Sequence, residues 1–108
     1  MTQAIVNGML YDTETATYVG KIGSDDGFYP GDFKFWEAHL YRTPNGRFFM
    51  EGKGGPRSPF AESYGENGWA ASRGIRALST EDALGYAQDI DISIEKIVAL
   101  FGDAVKVA

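Results

Sequence analysis

The sequence predicts an α+β domain, in which a four- to five-stranded antiparallel sheet with a central hairpin is followed by two short C-terminal helices packed on one face. Three observations predict it. Two alternating runs flank Pro44-Asn45-Gly46 in the stretch from Phe35 to Gly55, FWEAHLYRTPNGRFFMEGKGG. The 14 glycines and the 14% aromatic content favour a turn-rich sheet over a helical bundle. From Ser79 onward the apolar period changes to that of a helix.

The central hairpin carries its own mechanism. Pro44 pre-sets φ for a type I turn, Asn45 tolerates the next position, and Gly46 takes the left-handed bulge residue. A three-residue loop sets Thr43 opposite Arg47. Counting outward pairs Arg42 with Phe48, Tyr41 with Phe49, Leu40 with Met50, His39 with Glu51, Ala38 with Gly52 and Glu37 with Lys53. The period of two then gives a core face of Trp36, Ala38, Leu40, Phe48 and Met50. The opposite face holds Glu37, His39, Tyr41, Phe49, Glu51 and Lys53, polar with an aromatic pair at its centre.

Ahead of the hairpin, Met9 to Tyr11 reads as a short strand after Asn7-Gly8. Thr15 to Ile22, rich in β-branched and aromatic residues, reads as its hairpin partner, with Thr17, Val19 and Lys21 alternating against Ala16, Tyr18 and Gly20. Gly23 to Asp32 (GSDDGFYPGD) is a long exposed loop. After the hairpin, Pro56 to Arg73 has no period yet contains Phe60, Tyr64 and Trp69, the mark of a loop packed over a core or used for binding. Gly74 to Leu78 reads as a short strand. Ser79 caps a helix whose first turn holds Glu81 and Asp82, with Leu78 and Ala83 placed to staple it. A second helix, capped by Asp91 or Ser93, places Ile94, Ile97, Val98 and Phe101 on one buried face and ends at Gly102.

With 108 residues, 44% hydrophobic and 23% charged, the chain reads as a single domain over residues 1–108 with one core. The absence of cysteine excludes disulfides and thiolate-held metal centres, and a single histidine excludes a multi-histidine site within one chain. No cofactor or metal is expected. No run of about 18 apolar residues is present and MTQAIVNGML lacks a basic leader, so the expectation is a soluble cytoplasmic protein without a membrane partner. The net charge of −5 is unevenly spread. Residues 1–41 carry two Lys against six Asp/Glu, residues 42–78 carry six Lys/Arg against three Glu, and residues 79–108 carry two Lys against six Asp/Glu. An acidic balance argues against broad affinity for nucleic acid and suits a basic surface on another protein.

Four constellations invite chemistry. His39 opposite Glu51, with Glu37 on the same face, has the residue types of an acid/base pair. The plainer reading is a cross-strand pair worth roughly 0.2–1 kcal/mol. Gly52-Lys53-Gly54-Gly55 resembles a phosphate loop only in composition. The P-loop needs Ser or Thr after the lysine and a helix beyond it, whereas Gly54 follows Lys53 and Pro56 follows Gly55. The glycines fit close strand packing that admits Trp36 across the ladder. Arg42, Arg47, Lys53, Arg57, Arg73 and Arg76, interleaved with Phe48, Phe49, Phe60 and Trp69, give the ingredients of a single-stranded nucleic-acid site, but no RNP-type signature accompanies them. The acidic sets Asp25, Asp26, Asp32 and Glu81, Asp82, Asp89, Asp91, Glu95 could imitate spaced phosphates, and they lack the spacing of a calcium loop.

The blocks YDTETA (Tyr11 to Ala16), LYRTPNGRFFMEGKGGPRSPFA (Leu40 to Ala61) and IRALSTEDALGYA (Ile75 to Ala87) resemble a family of small proteins carried by phages and other mobile elements of bacteria. Lys53 departs from the small or acidic residue that the family pattern has there. The resemblance implies a setting in which small acidic proteins bind a host defence machine stoichiometrically, as inhibitors of CRISPR effectors do. It carries over no catalytic residue.

The expectation is therefore a non-enzymatic inhibitor that binds a host protein or nucleoprotein effector complex. It would occlude a basic nucleic-acid groove or a subunit docking surface. The expected contact residues are Glu37, His39, Tyr41, Phe49 and Glu51 on the outward hairpin face, with Asp25, Asp26 and Asp32 from the loop. Tyr41 and Phe49 are the expected anchors. The alternative is a nucleic-acid-binding accessory protein using the basic segment 42–76. Both a monomer and a homodimer paired through an open sheet edge fit the sequence.

Overall fold

In the computed structural model, which describes residues 2–24, 29, 31–64 and 68–108, the hairpin register is the one counted from the turn. Trp36–Arg42 (β4) and Phe48–Gly54 (β5) pair antiparallel from Trp36 opposite Gly54 to Arg42 opposite Phe48. At the tip, the Thr43 amide donates to the Arg47 carbonyl at 2.7 Å, and the Arg47 amide donates to Thr43 Oγ1 at 3.0 Å. Gly46 has φ +84°, the left-handed value that the bulge position demands.

Two further strands extend this pair into a four-stranded antiparallel sheet. Thr17–Gly23 (β3) lies along β4, and Ser72–Leu78 (β8) along β5, in the order β3-β4-β5-β8. Thr80–Gln88 (α1) and Ile94–Phe101 (α2) then pack on one face, followed by a 3-10 turn at Gly102–Ala104. Ser79 caps α1 by accepting from the Asp82 amide, and Ser93, rather than Asp91, caps α2 by accepting from the Lys96 amide. The α+β arrangement is thus the predicted one. Among the described residues, no helix is long and apolar enough to cross a membrane.

The first hairpin differs from the expectation. Met9–Asp12 (β2) pairs with Gln3–Val6 (β1), not with β3. The connection is Asn7-Gly8, with φ +52° and +77°, the two positive values of a type I′ turn, and this turn holds the chain in the right twist for a two-residue hairpin. β3 is free to join β4 instead. Its strict alternation also fails, because a bulge interrupts the register between Tyr18 and Gly20. Val19 consequently turns into the core while Lys21 remains outside. The Lys96 ammonium donates to the Val19 carbonyl at this bulge, at 3.1 Å. Within the stretch 56–73, Glu62–Tyr64 (β6) and Gly68–Ala70 (β7) form a small hairpin of their own. Phe60 packs over the core beside Trp36, whereas Trp69 is 62% exposed.

The main core lies between the inner sheet face and the helices. It contains Val19, Ile22, Trp36, Ala38, Leu40, Phe48, Met50, Phe60, Ala83, Ala87 and Phe101. Phe101 stacks on Phe48 with ring centroids 4.4 Å apart. That contact pins the C-terminal end of α2, whose buried edge is Ile97, Leu100 and Phe101. The expected buried stripe is therefore only half correct: Ile94 is 79% and Val98 47% exposed.

A second, smaller core lies on the opposite side of the sheet. The β1–β2 hairpin covers one end of the outer face, and Tyr11, Phe49 and Ile75 are buried there against Ala4, Val6, Ala16 and Tyr41. Phe49 is on the predicted face, but it is 0% exposed and so is not a surface anchor. Alternation in β5 assigns Phe49 its side, and the β1–β2 hairpin is what takes that side out of water. Phe49→Ala should cost about 3–5 kcal/mol in urea unfolding, the range for a truncated core aromatic. Ile94→Ala on the exposed side of α2 should change stability by no more than about 0.5 kcal/mol.

Candidate functional site

The outer face is built from three cross-strand rows, fixed by the register. Tyr18, Tyr41, Phe49 and Ala77 form the first row, in which Phe49 lies beneath the β1–β2 cover and Tyr18 stays exposed. The second row is Lys21, His39, Glu51 and Ile75, and the third is Gly23, Glu37, Lys53 and Arg73. The face thus changes from aromatic to charged within three rows of side chains. The hairpin packs on Phe49 and Tyr41 of the first row and on Ile75 at the β8 end of the second.

Glu37 lies between two lysines, 4.0 Å from Lys21 and 3.6 Å from Lys53. These are exposed pairs, worth at most about 1 kcal/mol each. His39 stands opposite Glu51 in the register, as expected, but its recorded hydrogen bond is to Tyr18. The Tyr18 hydroxyl and His39 Nδ1 lie 3.1 Å apart, with the two rings tilted at 5.6 Å between centroids. The histidine is oriented by a phenol from the neighbouring strand. Tyr41 stacks on Phe49 at 5.1 Å and 12° and meets the edge of Tyr18 at 5.5 Å. Partial burial pushes the Tyr41 phenol above its ordinary range, and the nearby Glu51 carboxylate and Tyr18 push it in the same direction.

The structure gathers Glu37, His39, Tyr41 and Glu51 on one face and removes Phe49 from its surface. Asp32 stands apart from them in a turn, where its carboxylate accepts from the Tyr29 amide at 2.8 Å and its own amide donates to the Tyr29 carbonyl. It also borders a hollow of about 580 Å³ beside the third row. Asp25 and Asp26 lie outside the described residues. Arg73, Phe33 and Phe35 join the site without having been singled out for it. Arg73 shares the parity of Ile75 and Ala77 in β8, but Phe33 sits in a turn and Phe35 just ahead of β4, where no strand alternation places them.

The other constellations do not assemble. The glycines of 52–55 serve packing: a Cβ at Gly54 would lie 2.7 Å from Trp36 Cβ and press into Ser58, and one at Gly55 would lie 2.5 Å from the Phe33 carbonyl oxygen. The basic segment is divided between the two sides of the sheet. Lys53 and Arg73 belong to the outer rows, while Arg76, on the opposite parity, lies over the Phe60 ring at 5.4 Å and reaches Glu62 at 3.4 Å. Phe48, Phe49 and Phe60 are buried and offer no stacking platform for bases. Among the described residues, no group of three His, Cys, Asp or Glu side chains is placed to hold a metal ion.

Comparison with protein-family models, with curated proteins and with solved structures finds no match for this chain.

The raised Tyr41 pKa carries a sign. Folding favours the neutral phenol, so that stabilisation is complete below the ordinary tyrosine value of about 10 and is lost as pH rises through the higher folded value. Thermal unfolding between about pH 9 and 11.5 should show a smaller alkaline loss of stability for Tyr41→Phe than for the parent chain.

Proposed function

We propose that this chain is a non-enzymatic binding protein that blocks a host protein or nucleoprotein effector by stoichiometric docking, and that it docks through the charged half of the outer sheet face. The observation that carries this reading is the incomplete cover. The β1–β2 hairpin buries Phe49 and, in the second row, Ile75, and Lys21, Glu37, His39, Glu51, Lys53 and Arg73 remain alongside on a sheet floor. Side chains held on neighbouring strands keep their spacing better than side chains on loops, which suits recognition of a partner with a fixed shape.

The charge on this face favours one of the two modes of blockade. Three cations and two carboxylates share it, so it is a mixed surface rather than a row of imitation phosphates. Glu81, Asp82, Asp89 and Glu95 belong to the helical layer on the other side of the sheet. A mixed-sign patch complements a subunit's docking surface better than a uniformly basic nucleic-acid groove. The phage or mobile-element setting comes from the resemblance of the YDTETA and LYRT-NGRFF blocks.

The test is capture from a bacterial host, with and without foreign-DNA challenge, using the parent chain and the triple variant Glu37→Ala, His39→Ala, Glu51→Ala. The parent should retain a discrete stoichiometric complex, and the triple variant should lose at least about tenfold in affinity, or about 1.4 kcal/mol. Each position is at the surface, so thermal stability should hold within about 0.5 kcal/mol per substitution. An equally stable triple variant that keeps the complex overturns the proposed face.

A further inference from the structure

The third row of the outer face ends in the hollow of about 580 Å³, whose walls come from three separate segments at residues 31–37, 53–56 and 71–73. One wall is apolar. Phe33 is 63% exposed, and Phe35 and Pro56 stand beside it. Its charged residues are Lys53 and Arg73 with Asp32 and Glu37, and the two cations crowd each other. Lys53 and Arg73 are directly opposite each other on neighbouring strands, an arrangement that is unfavourable for like charges. Lys53 finds partial relief in Glu37 at 3.6 Å, but Arg73 meets no carboxylate among the described residues. An incoming anion would remove that repulsion, and a guanidinium offers two parallel donors to a carboxylate.

The hollow is not a closed cup. It shares Glu37, Lys53 and Arg73 with a second depression of about 230 Å³ that reaches Lys21, His39 and Glu51. The two together form a trough along the charged half of the sheet, a shape suited to an extended chain rather than a compact small molecule. We infer that this trough receives an extended segment of a partner protein in which an acidic residue adjoins a large apolar one, the carboxylate meeting Arg73 and Lys53 and the apolar side chain covering Phe33. This inference rests on the protein-binding reading above and specifies the segment that such a partner would present.

The test is a backbone amide NMR titration of the full chain with three capped hexapeptides, Ser-Gly-Trp-Asp-Gly-Ser and its counterparts with Asn or Lys in place of Asp, and with inorganic phosphate. The Trp-Asp peptide should move the amides of Phe33, Gly54, Gly55 and Arg73 and saturate in the millimolar range. The Trp-Asn peptide should bind about fivefold more weakly, and the Trp-Lys peptide and phosphate should leave Phe33 unmoved. Arg73→Gln should erase the preference for Asp over Asn, and Phe33→Ala should weaken all binding without lowering the melting temperature. Equal binding of the three peptides, no response at these four amides, or an equal response to phosphate alone would overturn the inference. If the peptides fail while the triple face variant still loses its captured partner, the trough assignment falls and the docking face stands. If the peptides bind as described while that variant keeps its partner, the trough is supported as a site and the docking reading falls.

Discussion

The antiparallel pairing of β4 with β5 is the constraint from which the remaining geometry follows. Thr43 closes the tip through two hydrogen bonds with Arg47, and Gly46 adopts the positive φ that a Cβ would penalise. With that corner fixed, a period of two assigns every side chain from Trp36 to Gly54 to one side of the sheet. A slip of one residue would expose Leu40 and Met50 and bury Glu37, His39 and Glu51. The cost of burying those groups keeps the register where it is.

The sheet then has to be covered twice, and unequally. On the inner side, two capped helices and the Phe60 segment enclose Trp36, Leu40 and Met50. On the outer side, a four-residue-per-strand hairpin covers Phe49 and Ile75 and leaves the charged side chains beside them open. Phe49 shows what that cover is worth, since full burial of such a ring contributes about 1.5–3 kcal/mol that an exposed ring would not. In the other two rows Lys21 and Lys53 pair with Glu37 and His39 bonds to Tyr18, while Arg73 has no carboxylate partner among the described residues. The open part of this face is defined by where the small hairpin ends.

Local chemistry made much of this legible in the chain. The turn residues Pro44-Asn45-Gly46 fixed the pairs by counting, Ser79 marked the first helix start while Asp91 and Ser93 both offered a cap for the second, and the glycines after Met50 announced close packing against Trp36. The failures share a different cause. Phe49 lies on the side that alternation assigns it, but whether that side is wet depends on β1 and β2, about 40 residues earlier, and no local period carries that fact. The bulge at Val19 moves one side chain across the sheet without any Pro or Gly at its own position to announce it. Ile94 and Val98 obey a helical period, yet what buries a helix edge is the neighbour it meets, here Phe48 beneath Phe101. Of the site, the residues of one hairpin were legible. Arg73 and Phe33 required knowing which strands lie side by side.

The bulge in β3 has an effect on how the molecule keeps to itself. β3 is an outer strand of the sheet, the kind of border along which a second strand would add by backbone pairing. At Val19 the ladder is locally out of step, and the carbonyl there already accepts from the Lys96 ammonium. A strand arriving along this border would find one acceptor occupied and the spacing of the rest interrupted. Lys21, on the same strand, would add the cost of moving a charge out of water. This border is therefore a poor template for fibrous growth, and the helix that supplies Lys96 protects it at a single point.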